Sequence, residues 1–229
     1  MTKLTTCLLL LIAGAASAGT IVDVQTGAYA LGDVVTVNGA VVTGVLDDGL
    51  FLSEDPVTAR SGIFVHTGGA PTAQIGDLAH VKGVYAEVGG MSVLDVPADP
   101  SGYLQIPGTH LGEIFPLDLT LADVLVDGAL YEGNYVEVGE GMSVSALPDA
   151  EGVWVMDSLE NPGDALHLAA LGYDAGSVSL GDCATCARGI LVIVDGAYRL
   201  LVHEGGVCSI QCTVENEARS FSEIKAGYR

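Results

Sequence analysis

The chain has 229 residues, 49% of them hydrophobic and only 16% charged, which is material for one large domain or two small ones and excludes intrinsic disorder. Lys and Arg number 8 against 29 Asp and Glu, a formal net charge of −21, so a generic grip on nucleic-acid phosphates is disfavoured, because that affinity comes from cations displacing condensed counterions. With 31 glycines and 6% aromatics, the composition suits a turn-rich β protein better than a helix bundle.

Residues 1–18 read as a secretory signal peptide. Lys3 supplies the basic start, Cys7 to Ala13 the apolar run and Ala16-Ser17-Ala18 the small-residue cleavage pattern, with cleavage expected after Ala18. The apolar run falls short of the roughly 20 residues that span a bilayer. The mature chain is therefore expected to be secreted or periplasmic, with no membrane insertion.

Beyond the leader, period-two alternation such as Val34-Val35-Thr36-Val37-Asn38 predicts strands. Asp47-Asp48-Gly49, Gly89-Gly90 and Asp195-Gly196 each separate two apolar runs and predict hairpin turns, where positive φ reverses a twisted pair. The sequence also repeats itself at a spacing of about one hundred residues, the size of a small domain. Gly32-Asp33-Val34 to Gly39 is echoed by Gly133-Asn134-Tyr135 to Glu140, and Asp48-Gly49-Leu50-Phe51 by Glu151-Gly152-Val153-Trp154. Ile75-Gly76-Asp77 is echoed by Leu180-Gly181-Asp182, and Met91 to Leu94 by Tyr198 to Leu201.

Each copy offers five strands, the first long and bent at a glycine, the signature of a five-stranded Greek-key barrel. The predicted fold is all-β: two tandem OB-type barrels after the signal peptide. Barrel 1 is assigned to residues 19–99 and barrel 2 to 119–215. The segment 100–118 reads as a linker, since Pro97, Pro100, Pro107 and Pro116 interrupt regular pairing, and 216–229 reads as a C-terminal tail. A short helix over Leu119 to Leu125, capped by Thr120 with Leu121 and Leu125 on one face, introduces the second barrel.

Four stretches carry a family resemblance: Val35-Thr36-Val37-Asn38-Gly39, Gly49-Leu50-Phe51-Leu52, Ser61 to Thr67 and Gly76 to Gly83. Together they resemble the OB-fold module that accompanies catalytic domains in secreted bacterial nucleases. The resemblance runs from Thr20 to Val96, with a weaker tandem copy to Glu204. It implies the fold, and as an alternative function a nucleic-acid-binding accessory to a separate extracellular nuclease. The Asp-rich insert common in that family is replaced here by Glu54 to Arg60, and no nuclease catalytic domain is present in this chain.

Catalytic motifs are absent from the sequence. His203-Glu204 is followed by Gly205-Gly206-Val207 rather than a second histidine, and His66, His80, His110, His167 and His203 are scattered singly. No catalytic residue, metal or cofactor is assigned. A carboxylate-dependent glycan hydrolase is the remotest alternative, because among so many acids a chance pair is nearly guaranteed.

Cys183, Cys186, Cys208 and Cys212 predict two disulfides in an exported protein. Register from the Asp195-Gly196 turn pairs Cys183 with Cys208 and leaves Cys186 for Cys212, whereas a bulge pairs Cys186 with Cys208 and Cys183 with Cys212. A Cys₄ zinc site is the rival reading.

For ligand binding, an OB barrel offers the face of its second and third strands. That places Phe51, Arg60, Phe64 and Lys82 of the first copy and Trp154 and Arg199 of the second as candidate contacts, against the reading that the rings point inward as core. The function expected from the sequence is a non-enzymatic binding or interaction protein whose partner is a protein, a glycan or a small molecule.

Overall fold

The computed structural model describes residues 17–171 and 174–210. Most of the predicted leader, the tail and Cys212 lie outside the described residues. Ala18, after which cleavage is expected, falls within the first strand.

The first half contains strand β1 (Ser17–Gly19), helix α1 (Ile21–Gln25) and strands β2 (Val34–Val45), β3 (Gly49–Ser53), β4 (Gly62–His66), β5 (Asp77–Val88), β6 (Met91–Asp95) and β7 (Tyr103–Thr109). The second half contains β8 (Leu117–Leu119), α2 (Leu121–Asp127), β9 (Tyr135–Val138), β10 (Met142–Ala146), β11 (Val153–Ser158), β12 (Ala165–Ala170), β13 (Cys183–Val194) and β14 (Ala197–Ile210). The fold is all-β. Strands β2-β3-β4-β6-β5 form one ring, closed by β2 against β5. Strands β10-β11-β12-β14-β13 form the second, closed by β10 against β13. In each ring the third strand pairs in parallel with the fifth, as β4 with β6 and β12 with β14, which is the Greek-key order of an OB-type barrel.

Local chemistry accounts for much of this. Both residues of each two-residue hairpin turn have positive φ, at Gly89-Gly90 and at Asp195-Gly196, the geometry that matches strand twist. Strand β2 serves both β3 and β5 by bending at Gly39, where φ is +74° and the register shifts between Asn38 and Ala40. In the second barrel the same bend is a full break at residues 139–141, and the Glu140 carboxylate fills it by accepting from the Leu121 N–H at 3.2 Å and from the Ser158 hydroxyl.

Both repeats open alike. A three-residue strand runs parallel to the first barrel strand, β1 on β2 and β8 on β9, and leads into a short helix with a capping box. Thr20 and Asp23 exchange side-chain and backbone hydrogen bonds at 3.0 Å, as do Thr120 and Asp123 at 2.8 and 3.1 Å. These bonds hold the Asp23 and Asp123 carboxyls below the usual aspartate range. The helices plug their barrels with Ile21 and Val24, and with Leu121 and Val124. The predicted Thr120 cap is present, but Leu125 is 41% exposed, because Val124, one turn from Leu121, is the residue on its face.

Three expectations are corrected. The segment 100–118 is not free of pairing: β7 adds antiparallel to β5, and Pro107 is accommodated at a register shift, where Leu78 faces Gly108 but His80 faces Gln105. Trp154 is not the counterpart of Phe51. Leu50, Leu52, Ile63 and Val65 fill the first barrel, while Trp154, Met156, Leu166 and Leu168 fill the second, so Trp154 answers Leu50, and a one-residue slip in the alignment reverses which face each side chain takes. Finally, the simple hairpin register fails. Gly189 faces Val202 but Ala187 faces Val207, so Arg188 alone spans residues 203–206, with Gly205 at φ +72°. This bulge brings Cys186 opposite Cys208, and these two form a disulfide with Cα atoms 5.0 Å apart. Cys183 is also disulfide-bonded.

Candidate functional site

The barrels meet along a seam that begins in β3. Its burial is continuous, with no exposed face: Leu50 and Leu52 point into barrel 1, and Phe51 points out of it, yet is only 2% exposed. Phe51 packs instead with Ile190 and Val192 of β13, flanked by Leu46, Phe64, Leu171 and Leu201. Gly44 makes this approach feasible, since a Cβ there would lie 3.2–3.3 Å from Leu171, Phe51 and Ile190.

One end of the seam is polar and largely buried. The Arg60 N–H donates to the Leu130 carbonyl at 2.7 Å. Asn134, fully buried, donates through Nδ2 to the Thr58 carbonyl at 2.8 Å and accepts from the Ser61 hydroxyl at 3.2 Å. Glu132, also buried, accepts from the Ser92 N–H of β6. Burial pushes the Glu132 carboxyl above the usual glutamate range, opposed by the Ser92 hydrogen bond. A folded-state pKa raised above the unfolded value adds stability in acid that is lost as pH rises through it. Glu132→Gln keeps the acceptor and removes the charge. Thermal unfolding at pH 7.5 is therefore expected to show the variant more stable by on the order of 1 kcal/mol, a Tm rise of roughly 2–4 °C, with the gain vanishing near pH 4.

Where the barrels diverge, the seam opens into an apolar cleft of about 560 Å³. Barrel 1 contributes Leu46, Asp48, Phe51, Phe64, His66, Ala86, Val88, Met91, Val93 and Asp95, and barrel 2 contributes Val192, Val194 and Leu201. The Phe51 and Phe64 rings stand 5.0 Å apart at 50°, so these two predicted contacts are brought together, Phe51 as floor and Phe64 as half-buried wall. Polar groups gather at one end. His66 and Asp95 face each other in the β4–β6 register, with Nδ1 and Oδ1 3.1 Å apart, and the Asp48 carbonyl accepts from the Thr67 N–H at 2.9 Å, stitching the β2–β3 turn to the end of β4.

The other predicted contacts lie elsewhere. Arg60 belongs to the polar end of the seam, where its Nη1 also donates to the Gln25 carbonyl at 3.1 Å. Lys82 is paired with Asp99 at 3.3 Å, and Arg199 with Glu151 at 3.4 Å. Trp154 is core, 1% exposed. Sequence reasoning missed His66, Asp95 and Asp48 as a group. The parallel third-to-fifth strand pairing of the OB order was the available signal, since it sets the ends of β4 and β6 side by side.

A second cavity of about 330 Å³ is lined by Thr43, Ile75, Gly76, Gly112, Ile114, Tyr135 and His203. Burial lowers the His203 pKa, opposed by the nearby Thr43 and Leu171 backbone, and burial raises that of Tyr135. Among the described residues no cluster of His, Cys, Asp or Glu is arranged to hold a metal ion, and no helix is long and apolar enough to cross a membrane. No protein-family model matches the chain, and no curated protein matches it at a significant level.

Proposed function

We propose that this chain is an exported, non-enzymatic binding protein that holds a small apolar ligand in the cleft between its two barrels. The observation that carries this reading is the cleft itself: its size is that of a small-molecule site, its walls are aliphatic and aromatic, and its few polar groups converge at one end. Among the described residues its lining is almost wholly apolar, which supports binding over catalysis. Export is supported by the leader-like start and by the Cys186–Cys208 disulfide, which persists in oxidising compartments. The nucleic-acid alternative has less support. Phe51, on the face that an OB barrel normally offers, is enclosed by barrel 2, and Lys82 and Arg199 are each paired with an acid.

Titration with the uncharged fluorescent probe N-phenyl-1-naphthylamine tests the proposal. One probe per chain is expected to bind, and Ala86→Phe, which fills the cleft from a half-buried position of β5, is expected to weaken binding at least roughly tenfold, the loss of about 1.4 kcal/mol. Absence of binding, or binding indifferent to Ala86→Phe, would refute the proposal.

A further inference from the structure

We infer that the ligand of this cleft carries a cationic head, an amine or guanidinium, on its apolar body. The inference rests on the cleft being the binding site and adds the chemistry of what enters it. Among the described residues, Asp48, His66 and Asp95 are the only polar side chains in the lining, and neither Lys nor Arg reaches it. Among the described residues the Asp95 carboxylate meets only His66, through Oδ1, so its Oδ2 has no partner there. The Asp48 carboxylate has neither a hydrogen-bond nor an ion-pair partner among the described residues. Two carboxylates at the edge of an apolar wall repel an anionic head. They reward a cation, whose charge-assisted hydrogen bonds they are placed to accept.

The cleft is also polarised along its length. Asp95 ends β6 and Met91 begins it, a span of roughly 13 Å at the usual rise of a strand. At the Met91 end, Val88 and Val194 continue the apolar wall, and the two tight hairpins come together there, with Ile193 Cγ2 3.6 Å from where a Cβ on Gly90 would lie. An extended aliphatic chain of about that length, with its head at Asp95 and its tail at Met91, matches both ends.

Isothermal titration with decylamine, decanol and decanoate separates head from body. Decylamine is expected to bind roughly tenfold more tightly than decanol, with decanoate weakest. Asp48→Asn is expected to narrow the amine preference and leave decanol unchanged, and Ala86→Phe to abolish binding of all three. Equal affinity for the three compounds overturns the inference while leaving the cleft as the site. Decylamine binding that survives Ala86→Phe also overturns it, since the amine then sits on the acidic surface. Failure of all three, decanol included, to bind the unmodified protein brings down the proposed function itself.

Discussion

Replacing Gly62 by alanine is expected to force the two barrels apart. Gly62 opens β4 at the point where the backbones of the two repeats cross, and a Cβ there would lie 2.2 Å from the Gly133 carbonyl carbon and 2.3 Å from the Asn134 nitrogen. Those are main-chain atoms. Gly133 has φ +72° and its N–H is committed to the Leu191 carbonyl at 2.7 Å, so it has no rotamer with which to yield. Overpacking against backbone costs on the order of 3 kcal/mol. Because each barrel retains its own core, the loss falls on the seam. Calorimetry is expected to show a lowered and split transition, and hydrogen exchange to show faster exchange at the Arg60 amide, while Gly69→Ala, where an added Cβ meets nothing within 4 Å, changes stability by less than about 0.5 kcal/mol. A Gly62→Ala protein with an unshifted transition and a protected Arg60 amide would show that the seam does not join the barrels.

Asn134→Asp is expected to cost a comparable amount at neutral pH and to recover in acid. The substitution conserves shape, but it replaces the amide that donates to the Thr58 carbonyl with a buried carboxylate facing that carbonyl. A buried charge set against an acceptor is destabilising by on the order of 3 kcal/mol. Desolvation raises the pKa of such a carboxyl in the folded state, so the folded form binds a proton more tightly than the unfolded form. The difference from the unmodified protein is therefore small in acid and grows as pH rises. Denaturant unfolding of both proteins at about pH 4 and pH 7.5 reads this directly, and a pH-independent difference would contradict it.

Asn134 also marks what was legible in the chain. Its counterpart in the first repeat is Asp33, exposed and accepting from the Ala30 N–H of its own turn at 2.8 Å. The equivalence is structural: Gly32 and Asp33 bond to the Tyr85 backbone as Gly133 and Asn134 bond to that of Leu191. An acid in one copy and an amide in the other is the trace that burial leaves on a repeated sequence. The barrels and their tight turns were readable because alternation and positive-φ residues act over a few neighbours. Helix α1 was overlooked although Thr20-x-x-Asp23 repeats the spacing of Thr120-x-x-Asp123, since the apolar leader directly precedes it.

Other features were not readable because their causes are distant in the chain. In β3, Gly49-Leu50-Phe51-Leu52 is apolar on both faces, so period two does not say which face belongs to the barrel and which to the seam. The cleft joins Phe64 to Val192 and Val194, which no local pattern links. In the sequence Lys82 and Arg199 read as cations near a binding face, and their commitment to Asp99 and Glu151 depends on strand pairing that spacing alone does not reveal. The bulge at residues 203–206 likewise chose between two cysteine pairings that the turn left open.

Because the walls of the cleft are contributed by both copies, neither copy alone forms it. Without its neighbour, the outward ring of β3 would face water, and the second copy covers it with Ile190 and Val192. The junction thus ties each copy to the other's outer face, while their interiors differ as widely as leucine and tryptophan do at corresponding sites.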